Sequence, residues 1–266
     1  MASNNNNEEE KIRILLTLNN LQVEEIHYKN VQFARVWLTR FQARNALNNE
    51  TLQDIVDSFT FLQTQFHLNV VVLGGKGKSF SAGADLKAKP GPKESTVREK
   101  RYNVQLGRRA IAAIENLEAI TIARVQGHAA GGGFGLLQAC DMRIVVENAR
   151  LWFPEVDINL PLTWGLTARA IRDLGRAKAM ELISMGNDLP VIDAYRLGLV
   201  NKIAKDEADL DIIIKDMVVT LGNKNASTLH FIKTHFKQLD NMVDLGRATD
   251  TDNDYLLYNR MLDASL

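Results

Sequence analysis

Hydrophobic and polar positions divide the chain into segments of two periods. "IRILLTL" (12–18) and "ARVWLTR" (34–40) have the composition of strands, and the second alternates as a half-buried strand does. Behind Asn48, Leu52, Ile55, Val56, Phe59 and Leu62 recur at helical spacing, which predicts a helix with Asn48 as its N-cap. The β-branched run "NVVVLGGKG" predicts a buried strand entering a tight glycine loop. The proline-bearing, highly charged stretch from Lys87 to Arg101 predicts a mobile surface segment, and helical spacing returns from Val104 to Leu117.

The alternation then repeats. A strand "ITIARVQG" leads through three consecutive glycines into a helix "FGLLQACD", followed by a strand "MRIVVEN". Beyond Thr167 the pattern is helical, apart from a turn at "GNDLP" and a short strand in "GLVNKIA". Strands alternating with helices predict an α/β core, and the helical last third predicts an appended bundle or lid. The polar start "MASNNNNEEEK" (1–11) reads as a disordered leader rather than a targeting peptide.

Composition narrows the function classes. The 266 residues carry 32 basic and 32 acidic side chains, so no net charge draws the chain to nucleic acid or an anionic membrane. No stretch is long and apolar enough to span a bilayer. A single cysteine, Cys140, excludes an intrachain disulfide and fits a reducing compartment; its apolar surroundings read as a buried thiol. The last three residues place Ser265 where a peroxisomal Ser-Lys-Leu ending has lysine, so a cytoplasmic location is expected. The five histidines show no metal-binding spacing: His230 and His235 are five apart, where a zinc-binding helical pair wants four. No metal site is expected.

Two glycine-rich segments, 74–85 and 127–135, each follow an apolar strand. Neither is a nucleotide cradle. Gly77-Lys78-Ser79 would end a phosphate loop, but its first glycine would fall at Val72. A dinucleotide fingerprint started at Gly75 needs glycine at Phe80, and one started at Gly131 needs it at Leu136. Bare backbone after a strand then reads either as an ordinary tight turn or as part of a pair of converging N–H donors that stabilise charge on a carbonyl oxygen.

"ARNALN" (43–48), "SFSAGADL" (79–86), "VQGHAAGGGFGLLQACDMRIV" (125–145) and "FPEVDINLPLTWG" (153–165), in that order, resemble the crotonase superfamily of enoyl-CoA hydratases and isomerases. The resemblance runs from about residue 20 to the end. It implies a ββα spiral core over 12–200 and a C-terminal helical trimerisation or lid region over 201–266. It also implies a homotrimer or a hexamer built from two trimers. The implied ligand is an acyl-CoA thioester, with a carrier-protein thioester as a further possibility and no cofactor beyond the CoA of the substrate.

Carried over by position, the oxyanion donors are the N–H groups of Ala84 and Gly132. The CoA contacts are Ala43, Arg44, Ala82, Asp85, Leu86 and Lys87, with Lys233 approaching a CoA phosphate. Lys89 and Lys93 are weaker candidates for the same role. Glu155 matches one of the two glutamates of family hydratases, but the other falls on Gly135. A lone glutamate is the pattern of family isomerases that move a double bond from C3 to C2, so isomerisation is the leading reading. Family dienoyl-CoA isomerases add an aspartate eight residues after their glutamate, which here is Thr163. Hydration, decarboxylation of a malonyl-type thioester, and a silent CoA-binding scaffold remain as alternatives. In an extended segment Asp157 would face the same way as Glu155. His128 reads as a helix-start hydrogen bonder, Trp152 and Trp164 as core or acyl-pocket aromatics, and Asp141 as an ion-pair partner of Arg143 or Arg124.

Overall fold

The computed structural model describes residues 10–88 and 96–242. Nine strands and nine α-helices follow one another within these residues. They are β1 (Lys11–Thr17), β2 (Leu21–Tyr28), β3 (Val31–Leu38), α1 (Asn49–Leu62), β4 (Val70–Gly75), α2 (Val97–Val104), α3 (Leu106–Asn116) and β5 (Ile120–Val125). Then come β6 (His128–Ala130), α4 (Gly132–Ala139), β7 (Met142–Val146), β8 (Arg150–Trp152), α5 (Leu166–Leu174), α6 (Arg176–Met185), α7 (Val191–Arg196), β9 (Lys202–Ala204), α8 (Glu207–Gly222) and α9 (Ala226–Met242).

A seven-stranded sheet in the order β1-β2-β3-β4-β5-β7-β9 forms the centre; its first three strands are antiparallel and the rest parallel. Every residue of β4 and β5 is buried, as expected for parallel strands covered on both faces. α1 and α3 pack on each other, and α8 crosses the sheet over β3, β4, β5 and β7. β6 and β8 pair separately in parallel, with Ala130 opposite Trp152.

The predicted strands at the N-terminus, at "NVVVLGGKG" and at "ITIARVQG" are present, and Asn48 caps α1 by accepting the Thr51 N–H at 2.8 Å. Sequence periodicity missed β2. Its central Glu24 and Glu25 look unfit for a buried strand, yet both are buried and partnered. Glu24 accepts from Arg35 (3.0 Å) and the Trp37 indole (3.1 Å), and Glu25 from Arg13 (2.8 Å). The expected surface segment 87–101 is also corrected at its end. Thr96 and Glu99 cap each other's backbone, and this capping box starts α2 at Val97.

The expected boundary at residue 200 does not separate two bodies. Residues 202–204 extend the central sheet as β9, and α8 buries Leu210, Ile214 and Val218 against it. The first part of the supposed trimerisation or lid region therefore belongs to the core. At the other end, Lys11 pairs with His27 within β1, so a leader running through residue 11 is too long by at least that residue. Residues 1–9, Lys89, Lys93 and 243–266, which include "DYLLYNRML", lie outside the described residues. No helix among the described residues is long and apolar enough to cross a membrane.

Candidate active site

Parallel pairing brings the two glycine loops together. β4 and β5 are neighbours, so the loops that follow them emerge at the same sheet edge. The loops then bond to each other: Phe80 N–H donates to the Gln126 carbonyl (2.8 Å), Ser81 N–H to His128 (2.9 Å), and Ala130 N–H to Ser81 (3.1 Å). A Cβ added to Gly83 would overlap the Ala130 carbonyl and stand 3.3 Å from the Gly132 nitrogen. Backbone thus meets backbone next to Ala84 on one loop and Gly132 on the other.

Both predicted donors have a local reason to be free. Ala84 bridges Leu47: Leu47 N–H donates to Gly83 (2.8 Å) and Asp85 N–H to Leu47 (3.0 Å). In a parallel bridge the flanking residues make the bonds, which leaves Ala84's own N–H on the opposite side of the loop. Gly132 opens α4, where the first N–H groups have no intrahelical acceptor and the helix dipole adds positive character.

Glu155 arrives from the second sheet. β8 ends at Trp152, whose carbonyl accepts the Gly131 N–H (3.0 Å), and Pro154 then leads into a 3-10 turn at Glu155–Ile158. The register that sets Ala130 against Trp152 therefore brings the Glu155 carboxylate onto the glycine turn. Gly131 has φ +47°, and a Cβ there would overlap Oε1 of Glu155. Only glycine adopts that conformation cheaply while admitting the carboxylate.

Oε2 of Glu155 is fully buried and accepts no hydrogen bond among the described residues. Burial raises the carboxyl pKa from 4.5 to about 7, against a smaller lowering by its own backbone N–H. A carboxyl poised at neutrality beside unpaired N–H donors has the physical chemistry of an acid–base group.

The space around this pair is apolar. The Trp164 indole lies over Gly132, where a Cβ would overlap its ring. Gly135, the position of the second hydratase glutamate, is buried; a Cβ there would overlap Leu166 and come 3.1 Å from Ile111. The acid is absent, and its place is packed with aliphatic side chains.

The other candidates separate into two groups. Ala43, Arg44, Ala82, Asp85, Leu86 and Lys87 gather at one surface beside the loops: Ala82 N–H donates to Arg44 (2.9 Å), and Lys87 N–H to the Asp85 carboxylate (3.1 Å). Arg44, Leu86 and Lys87 are exposed there, whereas the Asp85 carboxylate is held by Arg40 at 2.9 Å. Lys233 does not join them. It is buried at the opposite end of β5, donating to the Ala119 carbonyl (2.9 Å) and to Asp141 (2.7 Å). It lines a cavity of about 520 Å³ with Gln138, Cys140 and Phe236, at the C-terminal end of α4.

Asp141 also accepts the Thr121 N–H (2.7 Å) and hydroxyl (2.8 Å). Its partner is thus Lys233, correcting the expected arginines: Arg143 donates to backbone carbonyls and Arg124 pairs with Asp211. Replacing Lys233 with methionine is expected to lower stability by roughly 1–3 kcal/mol, the cost of unpairing a mostly buried charge, while leaving KM for a CoA thioester within about twofold. Thermal melts and steady-state kinetics check both halves.

Three further readings are refined. Asp157 does not share Glu155's direction, because the segment is a 3-10 turn; its carboxylate lies against Gly186, 2.8 Å from where a Cβ would stand. His128 shares a hydrogen bond with the buried Ser79 hydroxyl (3.1 Å) and meets the Trp152 ring edge-on, a structural setting in which burial lowers its pKa, as do Arg150 and Arg44. Cys140 is buried, and burial pushes its thiol up to about 12, so it is no nucleophile at neutral pH. Trp164 was read as a core or acyl-pocket aromatic, but its packing against Gly132 was not legible, since no sequence signal tells an indole in a core from one at a site.

Two backbone segments opened by glycine, one buried carboxyl oxygen and an exposed flank with Arg44 and Lys87 thus lie together on the loops that carry the sequence motifs. Residues 29–259 match the family model for enoyl-CoA hydratase/isomerase. The chain belongs to that family. It is 32% identical over 201 residues to a probable enoyl-CoA hydratase of Bacillus subtilis, covering 74% of this chain and 76% of the relative. It is 34% identical to the crotonyl-CoA hydratase of Syntrophomonas wolfei, covering 67% and 68% of the two chains. In fold it resembles an enoyl-CoA hydratase structure from Mycobacterium avium subsp. paratuberculosis, with a TM-score of 0.78 at 24% identity over 91% of this chain and 94% of that one.

Proposed function

We propose that this enzyme isomerises a 3-enoyl-CoA to the 2-enoyl-CoA, with Glu155 as its sole acid–base group. Ala84 and Gly132 N–H groups receive the thioester oxygen. The Glu155 carboxylate takes a proton from C2; the electron pair moves into the thioester, giving a dienolate whose negative oxygen rests on the two donors. The protonated Glu155 then returns the proton to C4, and the double bond lies between C2 and C3. No atom is gained or lost. A pKa near 7 suits a group that must be base in one half of the cycle and acid in the other.

The observation that carries this reading is the contrast between Glu155 and Gly135. Water addition in the family's hydratases uses two glutamates, and here the second position is filled by Leu166 and Ile111. The names of the relatives favour hydratase, so hydration is the reading to defeat. Separate incubations with a 3-enoyl-CoA, a 2-enoyl-CoA and a malonyl-type CoA, followed by chromatography and mass spectrometry, decide it. The expected result is conversion of the 3-enoyl substrate at unchanged mass. Rapid gain of one water by the 2-enoyl substrate would establish hydration instead, and loss of carbon dioxide would establish decarboxylation.

The exposed Arg44 and Lys87 serve the CoA moiety in this reading, and a homotrimer or hexamer is the proposed assembly, with the exposed Phe231 and Phe236 of α9 available for subunit contact.

A further inference from the structure

Trp164 occupies its place at a conformational cost. It has φ +60°, in the left-handed region that a bulky side chain avoids, and Gly165 follows at φ +75°. Such a conformation persists only where the surroundings over-determine it, and those surroundings are visible. The Arg169 guanidinium donates to the carbonyls of Trp164 (3.3 Å) and Gly165 (3.1 Å), and is itself buried in a two-point pair with Glu115 on α3. The Leu166 N–H closes the turn onto the Thr163 carbonyl (3.1 Å).

The ring is received on both sides by bare backbone. On α4 it covers Gly132, and on α3 it covers Gly107, where a Cβ would overlap the five-membered part of the indole. Gly107 is the second residue of α3, and any side chain there would meet the indole, so a bare position is what lets the ring lie against this helix. Two helices and a strained turn thus converge to lay one indole across the first turn of α4. Leu166 and Ile111 fill the neighbouring space over Gly135.

In the proposed pose, an acyl thioester whose oxygen sits at Gly132 runs its chain past Glu155 toward the Trp164 ring that covers Gly132. We infer that Trp164 is the chain-length stop of the site, a specificity-determining residue that admits short acyl groups and excludes long ones, with Gly107 and the Arg169–Glu115 pair holding it across that path. The inference rests on the acyl-CoA reading above and adds the class of acyl group.

Binding of saturated acyl-CoA esters, which cannot react, tests it without requiring turnover. Calorimetry on the full chain with butyryl-, hexanoyl-, octanoyl- and decanoyl-CoA measures affinity against chain length. A methylene that finds an apolar berth strengthens binding by about fourfold. For the wild type the expected series stops strengthening after hexanoyl and weakens by decanoyl. In Trp164→Gly, which suits the positive φ and clears that path, affinity is expected to keep rising and decanoyl-CoA to gain at least about tenfold over wild type. Trp164→Leu, intermediate in volume, should move the break to octanoyl.

Circular dichroism first checks that the variants fold. Should neither fold, the wild-type series alone decides: affinity that climbs steadily to decanoyl-CoA overturns the stop. Unchanged chain-length dependence in a folded variant overturns it as well. Failure of every ester to bind would strike the acyl-CoA reading itself and take this inference with it. Binding without discrimination strikes only the role of Trp164.

Discussion

Glu155→Gln is expected to lower turnover of a 3-enoyl-CoA by roughly a hundred- to ten-thousandfold, with KM little changed. The amide keeps the shape of the carboxyl and its seat on Gly131, but it cannot take the C2 proton. A retained rate would remove Glu155 as the base. Acidity supplies a second readout. The carboxyl must be ionised to begin the cycle, and burial holds its pKa at about 7. In the wild type kcat/KM should therefore fall about tenfold per pH unit below neutrality and level off above it.

Stability should move the opposite way. The pKa of Glu155 is raised from 4.5 in the unfolded chain to about 7 in the folded one, so between these values the folded protein binds the extra proton. The contribution is fully present below pH 4.5 and is lost as pH rises through 7. Glu155→Gln removes this dependence. The variant should match the wild type in acid and exceed it above neutrality by at most about 3 kcal/mol, less in so far as the residue still touches water. Paired denaturant titrations at pH 5 and pH 8.5 measure it. Gain of stability with loss of rate is the signature of a functional group rather than a structural one.

Gly132→Ala should cost at least about a hundredfold in kcat, the usual consequence of losing one oxyanion donor. The methyl group would overlap the Trp164 ring, so either the indole or the first turn of α4 must shift, and a donor aimed at a thioester oxygen is displaced with it. Stability is a weaker effect, because alanine is a better helix former than glycine and offsets part of the clash. Steady-state kinetics alongside a thermal melt separate the two. The pairing with Trp164 gives a further check: in the Trp164→Gly background the same alanine has room, and much of the lost rate should return.

Local chemistry was legible where it depends on neighbours in the chain. Asn48 caps α1 because its side chain reaches Thr51, three residues away. The β-branched runs in "VVVLGG" and "ITIARV" announced two strands, the first as a buried one, and the structure pairs them in parallel. Three glycines before an apolar helix marked a place where something approaches the backbone. Each of these is a short-range fact.

The rest depended on partners far away in the sequence. Glu24 and Glu25 read as breakers until Arg35 and Arg13 neutralise them across the sheet. Lys233 read as a contact of a CoA phosphate until Asp141, ninety-two residues earlier, claims it in the interior. Asp157 shares its spacing with an extended chain but turns away because Pro154 begins a 3-10 turn. Trp164 read equally as a core or an acyl-pocket aromatic, since what places its ring is two glycines on two other helices. The sequence by itself determined which residues the proposed reaction draws on: the glycine-loop N–H groups and the one carboxylate at Glu155. The tertiary structure alone decided how that carboxylate is buried, which charges are spent on the core, and what closes the site. Burial and pairing are properties of the space between segments, and no segment carries that space on its own.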